Sequence, residues 1–173
     1  MAIQISSDGR TFTLQTEKSS YQMMADAHDV LLHLYYGRKI AAENLEERIF
    51  RSDVGFAGNP PEAGEDRTYS LDVLPQELPG SGVGDYREDM VRLYHADGSC
   101  AADFRFESYE VQEGAYRIPG LPAAYDTDEE KGETLVITMR ETASAVKVKL
   151  YYGVFEKENV ITRTVCIENQ GKE

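Results

Sequence analysis

Two stretches in the C-terminal half, ETLVITMRE (133–141) and AVKVKLYYGVF (145–155), alternate apolar and polar side chains, and this period of two constrains the fold more than any other feature. Leu135, Ile137 and Met139 share one side of the first stretch. Val146, Val148, Leu150 and Tyr152 share one side of the second, with Lys147 and Lys149 between them. A strand buried on one face reads this way, so the two segments are expected to form an antiparallel pair with the lysines toward solvent. VITRTVCIEN (160–169) repeats the β-branched alternation and supplies a further strand.

The N-terminal half adds TFTLQT (11–16), SYQMMA (20–25) and DVLLHLYYG (29–37), each ended by polar breaks. The nearly continuous apolar run of LLHLYYG predicts a strand covered on both faces. KIAAENLEE (39–47) has helical composition and predicts one or two helical turns, after which residues 48–66 turn to Gly, Pro and Asp and read as a long connection. MVRLYHADGSCAADFRFESYEV (90–111) predicts a hairpin around Asp97-Gly98, between Val91/Leu93 and Phe104/Phe106. Nine or ten short strands in a chain of single-domain length predict an all-β fold, an antiparallel β-sandwich with one short helical segment.

Charge narrows the partners. Against 18 Lys and Arg stand 31 Asp and Glu, for a net −13, and no basic cluster offsets this, so nucleic acid and anionic membranes are not expected partners. The first residues lack a basic flank with an apolar run, and no stretch of about 20 apolar residues occurs, so a cytoplasmic location is expected. Cys100 and Cys166 have no C-x-x-C spacing and read as two buried thiols. His28, His33 and His95 are scattered, so neither a metal nor a cofactor is expected, and His33 reads as a satisfied sheet residue.

The densest polar motif is LDVLPQELPGSGVGDYR (71–87). Its GSGVG superficially suggests a phosphate loop, but no buried strand precedes it and no helix opens behind it. Asp53, Asp72, Glu77 and Asp85 lie in loop or loop-edge sequence where a ligand could reach them, although a chain this acidic places some carboxylates there by chance. Arg67 and Arg87 could clamp a carboxylate or sugar hydroxyls; alternatively Arg87 forms a local salt bridge with Asp85. A nucleophile elbow, G-x-S-x-G, is absent.

The ordered segments SSYQM, LLHLYYG, DRTYSLDVLPQELPGSGVGDYR, DGSCAADFRFESYEV, IPGLPAAY, ETLVITMRE and LYYGVFEKENVITRTVCIENQG resemble the N-terminal β-domain of bacterial glycoside hydrolase family 36 α-galactosidases. The likeness runs over nearly the whole chain, most specifically in SLDVLPQELPGSGVGDYR and FEKENVITR. It implies a β-supersandwich of which residues 1–173 are the first portion, with catalysis in a following (β/α)₈ barrel. That barrel carries an aspartate nucleophile in a KWD-type strand end and an aspartate acid/base; KWD is missing here, so the chain alone is expected to be inactive.

The resemblance further implies a role in assembly of a homo-oligomer, joined to the catalytic barrel and acting on α-galactosides such as melibiose and raffinose. A loop of the family's N-terminal domain narrows the neighbouring subunit's pocket, and the matching position is Asp53 in FRSDVGFAGNPP, where the carboxylate would accept galactose hydroxyls. Arg67 is a weaker candidate for supporting that loop, while Glu77, Asp85 and Arg87 are expected to tie the 71–87 loop to itself, to the barrel or to a neighbour. The competing readings are a free-standing carbohydrate-binding module, disfavoured because 11 Tyr are accompanied by no Trp, and a protein-interaction β-sandwich.

Overall fold

The computed structural model describes residues 2–56 and 59–171. These residues form two antiparallel four-stranded sheets, each with its strands in sequence order. The first contains β1 (Ile3–Ile5), β2 (Thr11–Gln15), β3 (Ser19–Ala25) and β4 (Leu31–Arg38); the second contains β5 (Phe104–Glu113), β6 (Glu133–Glu141), β7 (Val146–Phe155) and β8 (Val160–Asn169).

The alternating side chains meet between the sheets. Phe12, Leu14, Met23 and Leu31 pack against Leu135, Ile137, Met139, Val148, Leu150 and Tyr152, and all of these are at most 1% exposed. Each such burial is worth roughly 1.5–3 kcal/mol, so this seam is the main source of stability. Lys147 and Lys149 point outward as expected and pair with Glu107 and Glu168 at 2.6 and 2.7 Å.

A second cluster joins Met24, Val30 and Leu32 to Tyr69, Leu71 and Leu74 on the opposite face of the first sheet. The long connection between β4 and β5 therefore forms a third layer. Adjacent Leu31 and Leu32 belong to different clusters, so the start of β4 is covered on both faces, but the cover does not extend along the whole apolar run, since Tyr36 near its end is 66% exposed.

Several local expectations change. Over 39–47 only a 3₁₀ turn forms, Glu46–Arg48. Buried glutamines of the first sheet hold this segment extended: Gln15 donates to the Ile40 carbonyl at 2.6 Å and Gln22 to that of Glu43 at 2.8 Å, while the Leu45 N–H donates to Gln22 Oε1 at 3.1 Å. These side chains take backbone groups that a helix would pair internally. A second 3₁₀ turn, Pro61–Ala63, lies within the long connection.

The Asp97-Gly98 turn forms, with Gly98 at φ 86° and its N–H donating to His95 at 2.9 Å, but the 90–111 hairpin does not. Val91 bridges Gly80 instead, and Phe104 and Phe106 pair with Glu141 and Met139 of β6. The long register with β6 outcompetes the local turn. Strand β1 is too short to show a period. Cys100 is exposed and Cys166 half-buried, so the expected pair of buried thiols is not observed.

Candidate functional site

The motif 71–87 is built onto the free edge of β4. The His33 N–H donates to the Pro75 carbonyl at 2.7 Å and the Glu77 N–H to that of Leu31 at 2.8 Å, and Gln76 bridges Leu32. This brief strand-like contact turns the Glu77 side chain inward between the sheets. The Gly80 backbone then passes so close to Ala102 that a Cβ there would lie 1.8 Å from the Ala102 carbonyl oxygen.

Glu77 is 4% exposed, so ligand access from solvent, as its loop-like sequence suggested, is not available in this fold. Its carboxylate accepts the Tyr21 hydroxyl at 2.7 Å and the Tyr152 hydroxyl at 2.8 Å. His33 Nδ1 lies 3.3 Å from one oxygen and Arg163 Nη2 3.3 Å from the other, and Arg163 also donates to the Glu77 carbonyl at 2.9 Å. Burial pushes the carboxyl upward, but the His33 hydrogen bond, the Arg163 charge and the two tyrosine hydroxyls together hold it below its ordinary value of 4.5. Burial, then the Glu77 charge, drive Tyr152 well above the ordinary tyrosine range. The group is an internally satisfied ion cluster bridging β3, β4, β7 and β8.

The remaining polar groups of the motif also close on themselves. Arg87 forks onto Asp85 with two bonds of 2.8 Å and donates to the carbonyls of Leu71 at 2.8 Å and Leu74 at 2.7 Å. Gln76 reaches Asp85 at 2.8 Å. Burial raises the Asp85 carboxyl, yet the Arg87 contacts more than offset this and leave it lowered. Asp72 receives the Tyr86 N–H at 2.9 Å.

Asp53 and Arg67 lie apart from this cluster, in the 49–67 loop. Arg67 Nε sits 3.0 Å from Asp53 Oδ2 and its Nη2 3.3 Å from Oδ1, while the Gly55 N–H donates to Oδ1 at 2.8 Å. The fork and the amide fix the carboxylate, and its remaining lone pairs stay open because its side chain is 45% exposed. With Val54, Gly55, Asn59 and Gly64 the pair lines a shallow cleft of about 340 Å³. Phe56 is 97% exposed beside it. Such a fixed, exposed carboxylate next to apolar surface can accept hydroxyl hydrogens from a sugar.

The structure thus brings Asp85 with Arg87 and Asp53 with Arg67, and it separates Glu77 from both pairs. Sequence reasoning missed Tyr21, Tyr152 and Arg163 as partners of Glu77. One signal was present: Arg163 falls on the same side of β8 as Ile161 and Val165, and an arginine within an apolar alternation asks for a buried acid. Among the described residues no group of three or more His, Cys, Asp or Glu is placed to hold a metal ion.

Two stacked antiparallel sheets, with a loop layer carrying the exposed polar groups, define a β-sandwich domain. The chain belongs to the glycosyl hydrolase family 36 N-terminal domain family, whose model matches residues 29–173. It is 46% identical over 171 residues to the bifunctional α-galactosidase/sucrose kinase AgaSK of Mediterraneibacter gnavus, covering 99% of this chain and 18% of that protein. It is 34% identical to α-galactosidase AgaA of Geobacillus stearothermophilus, covering 100% of this chain and 24% of that one.

Among solved structures, the galactosidase domain of AgaSK superposes with a TM-score of 0.92 at 45% identity, covering 98% of this chain and 23% of that one. The family 36 α-galactosidase AgaB of Geobacillus stearothermophilus gives 0.89 at 35% identity, covering 100% and 23%. The chain therefore spans about a fifth to a quarter of the length of these relatives. Among the described residues no helix is long and apolar enough to cross a membrane.

Proposed function

We propose that this domain serves as the first portion of the N-terminal β-supersandwich of a longer α-galactosidase, scaffolding a catalytic barrel and completing the sugar pocket of a neighbouring subunit in a homo-oligomer. The observation that carries the reading is the full-length match to a small share of α-galactosidases. Solved structures of AgaA variants hold raffinose and stachyose, which supports terminal α-galactosides, melibiose and raffinose among them, as substrates of the whole enzyme.

Within this reading Asp53 is the sugar-facing group and Arg67 its positioning residue. The bidentate contact presents the carboxylate at the rim of an exposed loop, suited to accepting hydroxyls in a pocket whose other wall belongs to a neighbour. Asp85 and Arg87 are too occupied with each other and with backbone carbonyls to hold sugar, so their role is to fix the loop layer on which subunits or the barrel rest. The two cysteines without a disulfide support a reducing compartment, the cytoplasm.

The barrel supplies both catalytic carboxylates in this scheme, so the 173-residue chain alone should not turn over a chromogenic α-galactoside. Calorimetric titration with galactose and raffinose separates this role from that of an autonomous carbohydrate-binding module. No heat of binding is expected here, and saturable binding by the isolated chain would overturn the shared-pocket reading.

A further inference from the structure

We propose that Tyr69 is the positioning residue for the Asp53–Arg67 pair and that it acts on the pair through Arg51. The inference rests on the reading of Asp53 as the sugar-facing group, and it adds the device that fixes this carboxylate against the first sheet.

The 49–67 loop has two limbs, and side chains tie them together: among the described residues no backbone hydrogen bond joins residues 49–56 to residues 59–69. The Asp53–Arg67 pair lies at the rim. Two residues back along each limb, the Arg51 guanidinium lies over the Tyr69 ring, with its Cζ 5.7 Å from the ring centroid. The two contacts are successive rungs between the limbs, the outer one exposed and the inner one reaching into the fold.

Tyr69 is 2% exposed and belongs to the second core cluster, against which Ile49 of the facing limb also packs. Its hydroxyl donates to Asp26 Oδ2 at 2.6 Å, while Asp26 Oδ1 accepts the N–H groups of His28 at 2.9 Å and Val30 at 3.0 Å. The His28 ring meets the Tyr69 ring at 72°, with centroids 4.7 Å apart. Burial, then the hydrogen bond to Asp26, push the Tyr69 hydroxyl well above the ordinary tyrosine range, so it stays a neutral donor. The ring is therefore fixed to the first sheet through the Asp26–Val30 turn.

The Asp53 limb has less to hold it. Residues 53–56 are exposed and belong to no strand or helix. Arg51 carries the hold across, because a cation over an aromatic face is attracted by the ring quadrupole. Its contact with Glu46, at 3.7 Å, is an exposed pair that fixes little. On the Tyr69 limb, Asp66 closes a turn: its Oδ1 accepts the Thr68 N–H at 2.9 Å, and its carbonyl accepts Asn59 Nδ2 at 2.9 Å. Arg67 leaves this fixed turn, and its fork meets Asp53 where Arg51 sets the facing limb.

Hydrogen exchange of the Gly55 amide, which donates to Asp53 Oδ1, reads the position of the carboxylate without any sugar. Arg51→Ala should speed that exchange about fivefold while the amides of β6 and β7 exchange as in the parent. Arg51→Lys should restore most of the protection, since an ammonium also sits on a ring face. Tyr69→Leu, apolar but without a ring face, should speed Gly55 exchange as much, and adding Arg51→Ala to it should change nothing further. In a chimera carrying this chain in place of the matching segment of AgaSK, Arg51→Ala should lower kcat/KM for raffinose about fivefold, and no further once Asp53→Ala is present. Gly55 exchange indifferent to Arg51→Ala, or losses of kcat/KM that multiply in the double variant, would overturn the proposal. Failure of the sugar reading looks different: Asp53→Ala alone would leave hydrolysis unchanged while Gly55 exchange still responded to Arg51→Ala.

Discussion

Replacing Glu77 by alanine tests the idea that a single inward carboxylate locks the 71–87 layer to both sheets. The substitution removes the acceptor for Tyr21, Tyr152, His33 and Arg163 together. Breaking a buried ion pair costs about 3–5 kcal/mol because the surviving charge stays buried and unpaired. Arg163 is 32% exposed and can turn partly to water, so the low end, about 3 kcal/mol, is expected. For a domain of this size that lowers the melting temperature by roughly 6–12 °C. Glu77→Gln keeps an acceptor but loses the charge and should cost about half as much. Urea unfolding, followed by circular dichroism and by tyrosine fluorescence, gives both numbers. A loss below about 1 kcal/mol for Glu77→Ala would refute the reasoning, since it would mean that the cluster contributes no more than a surface pair.

The same carboxylate gives a pH signature. Its folded-state value lies below the ordinary 4.5, so its contribution is present above about pH 4.5 and is lost as pH falls through the folded-state value. Urea midpoints measured downward from pH 7 should drop on that limb, and less steeply in Glu77→Gln. Arg87→Ala should cost about 2–3 kcal/mol, because it leaves the Asp85 carboxylate, whose side chain is 2% exposed, without its cation and with only the Gln76 amide and the residue-87 N–H as donors, and frees two carbonyls. Arg87→Lys should recover only part of this, since an ammonium cannot reproduce the fork; chemical denaturation of both variants checks the order. Gly80→Ala must displace backbone at Ala102 and should cost about 3 kcal/mol or more. Gly98→Ala, in open space at positive φ, should cost only about 1–2 kcal/mol, and equal losses at the two glycines would contradict the close approach.

Strands β6 and β7 were legible because Leu135, Ile137 and Met139 and Val146, Val148, Leu150 and Tyr152 recur at a period of two and pack into the seam between the sheets, and β8 because its β-branched alternation continues that pattern, with Ile161 and Val165 partly buried against the same core. Strand β4 was legible for the opposite reason at its start, where Leu31 and Leu32 sit between two layers, whereas the cover expected over the rest of the run is absent at the exposed Tyr36. The 39–47 segment was misread because its conformation is set by Gln15 and Gln22, which lie elsewhere in the chain and carry no helical signal. The 90–111 hairpin failed similarly: Asp97-Gly98 specifies a turn, but a turn cannot specify which strands pair when β6 offers a longer register. At the site, the pairing of Asp85 with Arg87 was visible as neighbouring opposite charges. The inward path of Glu77 was not, because it follows from the contact of residues 75–77 with β4, a tertiary feature that loop-like composition conceals.

The most direct test of the proposed role transplants the domain. This chain replaces the matching segment of AgaSK, to which it is 46% identical, and α-galactoside hydrolysis is measured for the chimera with and without Asp53→Ala. An active chimera is expected, with kcat/KM lowered about 10- to 100-fold by Asp53→Ala through loss of one or two charge-assisted hydrogen bonds, at unchanged melting temperature. A folded chimera whose hydrolysis is indifferent to Asp53→Ala would contradict the shared-pocket account.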